Sequence, residues 1–183
     1  FYPRDGEDMH AAVNRECLAA RNGVGVLDAS TLGKIDIRGP DAARFLNLLY
    51  TNNWDNLQPG RCRYGFMLGE DGMIMDDGVT TCLAPGHYLM TTTTGGAATV
   101  LTWMERWLQT EWPELKVYLT SVTDQWSVMS VAGPYARTVL KAAGCDLDLD
   151  GDAFPFMSMQ AGQVAGISAR VSRISFSGEL AFE

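Results

Sequence analysis

Two apolar-rich segments, Arg61 to Leu68 and Met73 to Thr81, flank Gly69-Glu70-Asp71-Gly72. Glycines bracketing two acidic residues are turn chemistry, so the two segments are predicted to pair as a β-hairpin, which commits the chain to antiparallel sheet. The second arm, Met73-Ile74-Met75-Asp76-Asp77-Gly78-Val79, sets two adjacent carboxylates into an otherwise apolar strand. Neighbours on a strand point to opposite faces, so one carboxylate can be solvated while the other faces inward. An inward carboxylate without a cationic partner acquires a raised pKa and becomes a candidate base or cation stabiliser. The same pair also suits a strand that ends beside a turn.

The rest of the chain reads as helices interleaved with short strands. Residues from about Asp8 to Asn22 carry helical spacing, with Ala11, Ala12, Leu18 and Ala19 available to one face and Gly23 placed to stop the helix. Val24 to Asp28 is strand-like. Lys34-Ile35-Asp36-Ile37-Arg38 alternates as a half-buried strand does, and Gly39-Pro40-Asp41 opens a helix through Ala43, Phe45, Leu46 and Leu49. His87 to Thr94 is a third strand. Val100, Leu101, Met104, Trp107 and Leu108 mark the buried face of a helix from about Ala97 to Glu111, ended by Pro113. Strands are expected at Leu115 to Val122 and Trp126 to Val131, followed by Gly133-Pro134 and a helix containing Val139 and Leu140. Gly162 to Glu183 is strand-rich again. The strand, Gly-Pro, helix arrangement thus occurs twice, with Ala42 and Leu46 in register with Ala136 and Leu140. The predicted fold class is α+β, with mixed antiparallel sheets covered by helices and this internal repeat.

Composition narrows the function classes. The 183 residues can bury a sizeable core, and no apolar run reaches the roughly 18 residues that a membrane helix needs. A net charge of -8 repels phosphate backbones, and no basic stripe interleaves with aromatics, so neither nucleic acid nor membrane is an expected partner. Cys17, Cys62, Cys82 and Cys145 form no C-x-x-C pair, and with His10 and His87 they give no zinc spacing, so no metal is expected. The start, Phe1-Tyr2-Pro3-Arg4, has no basic-then-apolar signal, which makes the cytoplasm the default expectation. Leu180-Ala181-Phe182-Glu183 stops inside a strand-like run, so the chain is expected to be a fragment of a longer one.

Other motifs carry less. Asp146-x-Asp148-x-Asp150-Gly151 opens like a calcium loop, but Met157 stands where a bidentate Glu belongs, which makes it an acidic connection. Gly23-x-Gly25 lacks the third glycine of a dinucleotide loop. Thr91-Thr92-Thr93-Thr94-Gly95-Gly96 ends a strand where a helix begins, offering hydroxyls and free NH groups to a polar ligand edge or, equally, a cap from Thr94. Trp103, Met104 and Trp107 are assigned to core packing. Tyr64 either stacks on a flat ligand or fills the core.

Taken in order, these segments resemble the aminomethyltransferase family, the folate-binding T-proteins of glycine cleavage and their relatives. The shared features are the glycine-turn-Asp-Asp hairpin, the Gly-Pro helix after a strand, and Arg173 followed by Gly178, Glu179 and Glu183. Within that family the chain is more similar to the folate domains of heterotetrameric sarcosine oxidase alpha subunits, through Ala29-Ser30-Thr31-Leu32-Gly33-Lys34-Ile35, Arg63-Tyr64-Gly65, Thr91 to Thr94, Thr120-Ser121-Val122-Thr123 and Arg173-Ile174-Ser175-Phe176-Ser177-Gly178-Glu179-Leu180. The resemblance spans nearly all of residues 1–183, implying one folate-binding aminomethyltransferase-like region truncated at its C-terminal end.

The resemblance implies tetrahydrofolate as cofactor, accepting the one-carbon unit of an iminium derived from oxidised methylamine to give 5,10-methylenetetrahydrofolate. It gives Asp77 the catalytic role and leaves Asp76 a structural one. Glu183 matches the glutamate that holds the pterin edge, and Tyr64, Leu32, Thr93 and Phe176 match positions lining the folate pocket. Thr93 and Phe176 depart from the T-protein pattern, which has Asn and Tyr there. The implied partners are the beta, gamma and delta subunits of a sarcosine oxidase, with FAD, FMN and NAD held only elsewhere in that complex. A noncatalytic folate-binding or assembly scaffold and a standalone glycine cleavage T-protein are the alternatives.

Overall fold

A computed structural model of the protein describes residues 3–183. In chain order the elements are α1 (Met9–Asn22), β1 (Gly25–Asp28), β2 (Gly33–Arg38), α2 (Ala42–Leu49), β3 (Cys62–Leu68), β4 (Ile74–Ala84), β5 (His87–Thr92), α3 (Ala97–Thr110), β6 (Tyr118–Ser121), β7 (Met129–Ala132), α4 (Ala136–Ala142), β8 (Ser158–Val164), β9 (Ile167–Arg173) and β10 (Ala181–Phe182). They divide into a central unit, Ser30–Ser127, and a flanking unit made of the chain up to Ala29 with Val128–Glu183.

The central unit is built on a five-stranded sheet in the order β3-β4-β5-β2-β6, antiparallel throughout. Ile35, Ile37, Met67, Tyr88 and Met90 point to the face covered by α2 and α3, where they pack with Ala42, Phe45, Leu46, Val100 and Met104. Burying each large apolar side chain contributes about 1.5–3 kcal/mol. The face predicted for α3 holds: Val100 and Met104 are fully buried, Leu101 and Leu108 partly, and Trp107 is half-buried and stacks on Trp112 at 5.8 Å. The hairpin forms as expected, and it carries a β-bulge. Met67 pairs with Asp76 but Leu68 with Ile74, so Met75 is the extra residue.

The flanking unit contains the sheet β1-β7-β10 and the hairpin β8-β9. Its core is Val131, Ala136, Leu140, Leu149, Phe154, Val171 and Phe182. Between α4 and β8 the chain is irregular and is held by guanidinium groups: Arg137 Nε donates to the Leu149 carbonyl at 2.6 Å, and Arg173 Nη1 to that of Phe154 at 2.7 Å. The calcium-like acidic run lies here as backbone caps, with Asp146 accepting from the Gln163 amide at 2.7 Å and Asp148 from that of Asp150 at 3.0 Å.

Each unit contains one copy of the strand, Gly-Pro, helix corner. Gly39 and Gly133 sit at φ 140 and 129, a region that disfavours side chains, and a Cβ on either would meet backbone oxygens of Lys116 or Ala20 at 2.0 and 2.5 Å. Their carbonyls accept from Ala42 and Ala136 at 3.1 and 3.0 Å, and both alanines are fully buried.

Several boundaries differ from expectation. Only Tyr118–Ser121 pairs with β2, because Leu115 and Val117 reach the core from a turn. Thr123–Gln125 forms a 3₁₀ turn, so β7 starts at Met129 rather than Trp126. Asp8 caps α1 through the Ala11 amide, and of the apolar face predicted for that helix only Ala12 is buried, with Leu18 exposed.

Candidate functional site

The bulge at Met75 decides which carboxylate goes where. Asp76 lies opposite Met67, itself fully buried, and so points to the helix-covered face, where it is 5 % exposed. Asp77 lies opposite Phe66 and points to the other face, half-buried. Tyr64 and Phe66 share that outer face, two residues apart on β3, with rings edge to face at 5.1 Å and exposures of 44 % and 38 %. Tyr64 Oη donates to Asp77 Oδ2 at 2.5 Å. Accepting that bond, the Asp77 carboxylate raises the Tyr64 pKa above its ordinary value, with burial and charge adding to the effect. The outer face therefore presents an ionisable oxygen pair held by a phenol and bordered by aromatic rings.

Asp76 is occupied differently. Its Oδ1 accepts from the Thr93 hydroxyl at 2.5 Å and its Oδ2 from the Thr93 amide at 3.2 Å. The Thr93 hydroxyl in turn accepts from the Gly96 amide at 3.0 Å. Burial raises the Asp76 pKa, the Thr93 bonds oppose the rise, and the charge of Asp77 adds to it. The inward carboxylate with the raised pKa is thus Asp76, whereas the resemblance assigns chemistry to Asp77. With both Asp76 oxygens engaged at the start of α3, its geometry is that of a fastening. The cap of α3 is also not Thr94: that hydroxyl pairs with Thr31 at 3.1 Å, and Thr93 closes the turn.

Leu32 is half-buried at the start of β2, and its carbonyl accepts from Lys34 Nζ at 2.7 Å. Thr93, one residue past β5, spends its hydroxyl and amide on Asp76. In the flanking unit, Glu183 pairs its backbone with Ser172 in both directions, at 2.6 and 2.9 Å. Burial raises the pKa of its carboxyl, and a hydrogen bond with Ser130 opposes the rise. Phe176 is fully exposed, in the irregular segment between β9 and β10. Arg173, Gly178 and Glu179 of the late motif line a groove of ≈ 380 Å³ with Phe156, Ser175 and Leu180. The structure thus brings Tyr64 to Asp77 and Thr93 to Asp76, and leaves Phe176 with an open ring.

Three residues of this region have roles that their sequence context did not indicate. Phe66 carries a usable signal, being two positions from Tyr64 on a predicted strand. Thr91 bridges β4 and β5 with its hydroxyl, which accepts from the Val79 amide at 3.1 Å and donates to the Val79 carbonyl at 3.0 Å. Lys34, read as the polar side of an alternating strand, is 2 % exposed. Among the described residues no cluster of three or more His, Cys, Asp or Glu could hold a metal ion, and no helix is long and apolar enough to cross a membrane.

The sequence profile of the GCVT N-terminal domain matches residues 1–183. The chain belongs to that family. It is 60% identical over 184 residues to the sarcosine oxidase subunit alpha of Corynebacterium sp. strain U-96, a match that covers 100% of this chain and 19% of that relative. The crystal structure of glycine cleavage system aminomethyltransferase T from Bartonella henselae superposes with a TM-score of 0.78 at 26% identity, over 92% of this chain and 43% of that one. Heterotetrameric sarcosine oxidase from Corynebacterium sp. U-96, in complex with pyrrole 2-carboxylate, shares the fold at a TM-score of 0.62 and 16% identity, over 98% of this GCVT domain and 85% of that chain. This GCVT domain spans about a fifth of the length of the curated relative.

Proposed function

We propose that this chain is the folate-binding portion of a sarcosine oxidase alpha subunit, and that it takes up the one-carbon unit released by sarcosine oxidation as 5,10-methylenetetrahydrofolate. The observation that carries the reading is the Asp77 carboxylate, half-exposed on the outer sheet face and held at 2.5 Å by Tyr64. Identity of 60% to an alpha subunit along the whole chain supports the same assignment.

The residues on that face suit a reduced folate. Exposed rings of Tyr64 and Phe66 offer apolar surface to a flat heterocycle. A carboxylate is the natural acceptor for ring NH groups, and Glu183 takes that role by resemblance. Tetrahydrofolate supplies the nucleophilic nitrogens that receive the carbon. Asp77 offsets the positive charge that develops on nitrogen during transfer and accepts the proton that is released. Tyr64 fixes the orientation of that carboxylate before the reaction, so no reorganisation is needed during it. Leu32 and Thr93 are assigned to the folate pocket by resemblance. The iminium arises at a flavin site in another subunit, FAD, FMN and NAD being bound outside this chain within a cytoplasmic complex with beta, gamma and delta subunits.

The test is Asp77→Asn in the full-length protein. Reduced folate should still bind with nearly unchanged affinity while methylene transfer slows by about 10²-fold or more, the scale of a lost acid-base group. Transfer at the unaltered rate removes Asp77 from the mechanism.

A further inference from the structure

Lys34 is the deepest charge in the central unit. Its side chain is 2 % exposed, and the carboxylate that acts on it electrostatically is Asp124, on the turn after β6. A lysine beside solvent normally sends its ammonium outward along a buried stem. Here the head turns inward. Nζ donates to the carbonyls of Ser30 at 2.8 Å, Leu32 at 2.7 Å and Thr123 at 3.2 Å. Those three bonds use all three ammonium hydrogens, which compensates the loss of hydration that makes a buried charge costly.

The backbone of Lys34 is tied to the same corner. Its amide donates to Thr123 Oγ1 at 3.1 Å, and its carbonyl accepts from the Val122 amide at 2.8 Å. The preceding residue is confined as well: a Cβ on Gly33 would lie 2.1 Å from Thr92 Oγ1 and 2.6 Å from Ala97 Cβ. The Thr31 hydroxyl meets that of Thr94. The segment from Ser30 to Lys34 is therefore wedged between the start of α3 and the corner after β6, where Lys34 is its one charged residue and Asp124, on the turn Thr123–Gln125, acts on it from the corner.

We propose that Lys34 is a positioning residue for the ligand site: its ammonium is a built-in cation that gathers the carbonyls of Ser30, Leu32 and Thr123 and so sets the backbone on which Leu32 is presented. This rests on the reading that the central unit binds folate. Without the ammonium, three carbonyl dipoles converge with their negative ends together and no donor between them. The segment relieves that repulsion by splaying, which moves Leu32. A change there weakens ligand binding and leaves the chemistry at Asp77, on a different strand, in place.

The experiment compares wild type, Lys34→Met and Asp77→Asn in the full-length protein, reading KM for tetrahydrofolate and kcat for methylene transfer separately. Methionine keeps the apolar stem and removes every donor. K34M is expected to raise KM at least tenfold with kcat within twofold, the reverse of the pattern for D77N. KM unchanged in K34M, or kcat lost at constant KM, overturns the proposal. Should wild type show no folate-dependent transfer at all, the folate reading falls and this proposal with it, whereas a normal wild type and a slow D77N beside an unaffected K34M sink the Lys34 role alone. If K34M does not fold, Lys34→Ala is titrated with ethylammonium, which can refill the carbonyl cage, and with tetramethylammonium, which carries the charge but no N–H. Recovery of KM by ethylammonium alone supports the proposal, and equal recovery by both, or by neither, overturns it.

Discussion

Replacing Gly78 by alanine tests whether the position of Asp77 depends on how β4 lies against β5. A Cβ at Gly78 would fall 1.9 Å from the Thr91 carbonyl oxygen and 2.8 Å from its carbon, where real Cβ atoms stop at 3.0 Å. The obstacle is backbone, so β4 must move away from β5 by about 1 Å, a sizeable part of the roughly 4.8 Å strand spacing. Overpacking of this kind costs about 1–3 kcal/mol. For a chain of this length each kcal/mol lowers Tm by about 2–4 °C, giving an expected drop of about 2–12 °C. The neighbouring Asp77 moves with the strand, and a misplacement near 1 Å can cost about 10²-fold in rate. Thermal unfolding followed by circular dichroism gives the first quantity, and methylene transfer in the full-length protein gives the second. Gly65→Ala, whose Cβ would meet side-chain atoms of Asn52, Trp54 and Tyr50 at 3.0–3.1 Å, is the milder control. A G78A protein with wild-type Tm and rate would refute the coupling of strand spacing to the site.

Two titrations probe the paired carboxylates. Asp77→Asn removes the charge that keeps the Tyr64 phenol protonated, so tyrosinate absorbance should develop at lower pH than in wild type, with Tyr64→Phe identifying the band; coincident curves would show that the hydrogen bond at 2.5 Å has no electrostatic weight. Burial holds the Asp76 pKa above its ordinary value of 3.8, so between those two values the folded protein keeps a proton that the unfolded chain has released. That contribution is complete below pH 3.8 and is lost as pH rises through the folded-state value, so the Tm advantage of wild type over Asp76→Asn should shrink across that window; parallel profiles would count against the assigned direction.

The hairpin, the outward and inward split of its carboxylates, the helix α3 and the repeated Gly-Pro corner are legible because each rests on spacing within about ten residues. Which carboxylate is inward is not, since it depends on the bulge at Met75, and a bulge leaves no mark in an apolar run. Leu115, Val117 and Leu119 alternate as a strand would, but only the last lies within β6, and a period of two cannot tell a buried turn from a paired strand. Thr94 is the cap that local spacing offers, but its hydroxyl is taken by Thr31, 63 residues away, and Thr93 is fixed by Asp76, 17 residues away. Lys34 is the clearest case, because one of its acceptors is a backbone carbonyl 89 residues distant, and backbone oxygens have no residue identity to read.

The extra residue at Met75 makes the hairpin a parity device. Shortening the Gly69–Gly72 turn by one residue without a compensating bulge would carry Asp77 into the place of Asp76, against Thr93, and lengthening it by one would carry Asp76 into the place of Asp77, beside Tyr64. Insertions and deletions at this tip therefore keep both carboxylates in place only in pairs, and an odd one sends one of them to the other face of the sheet.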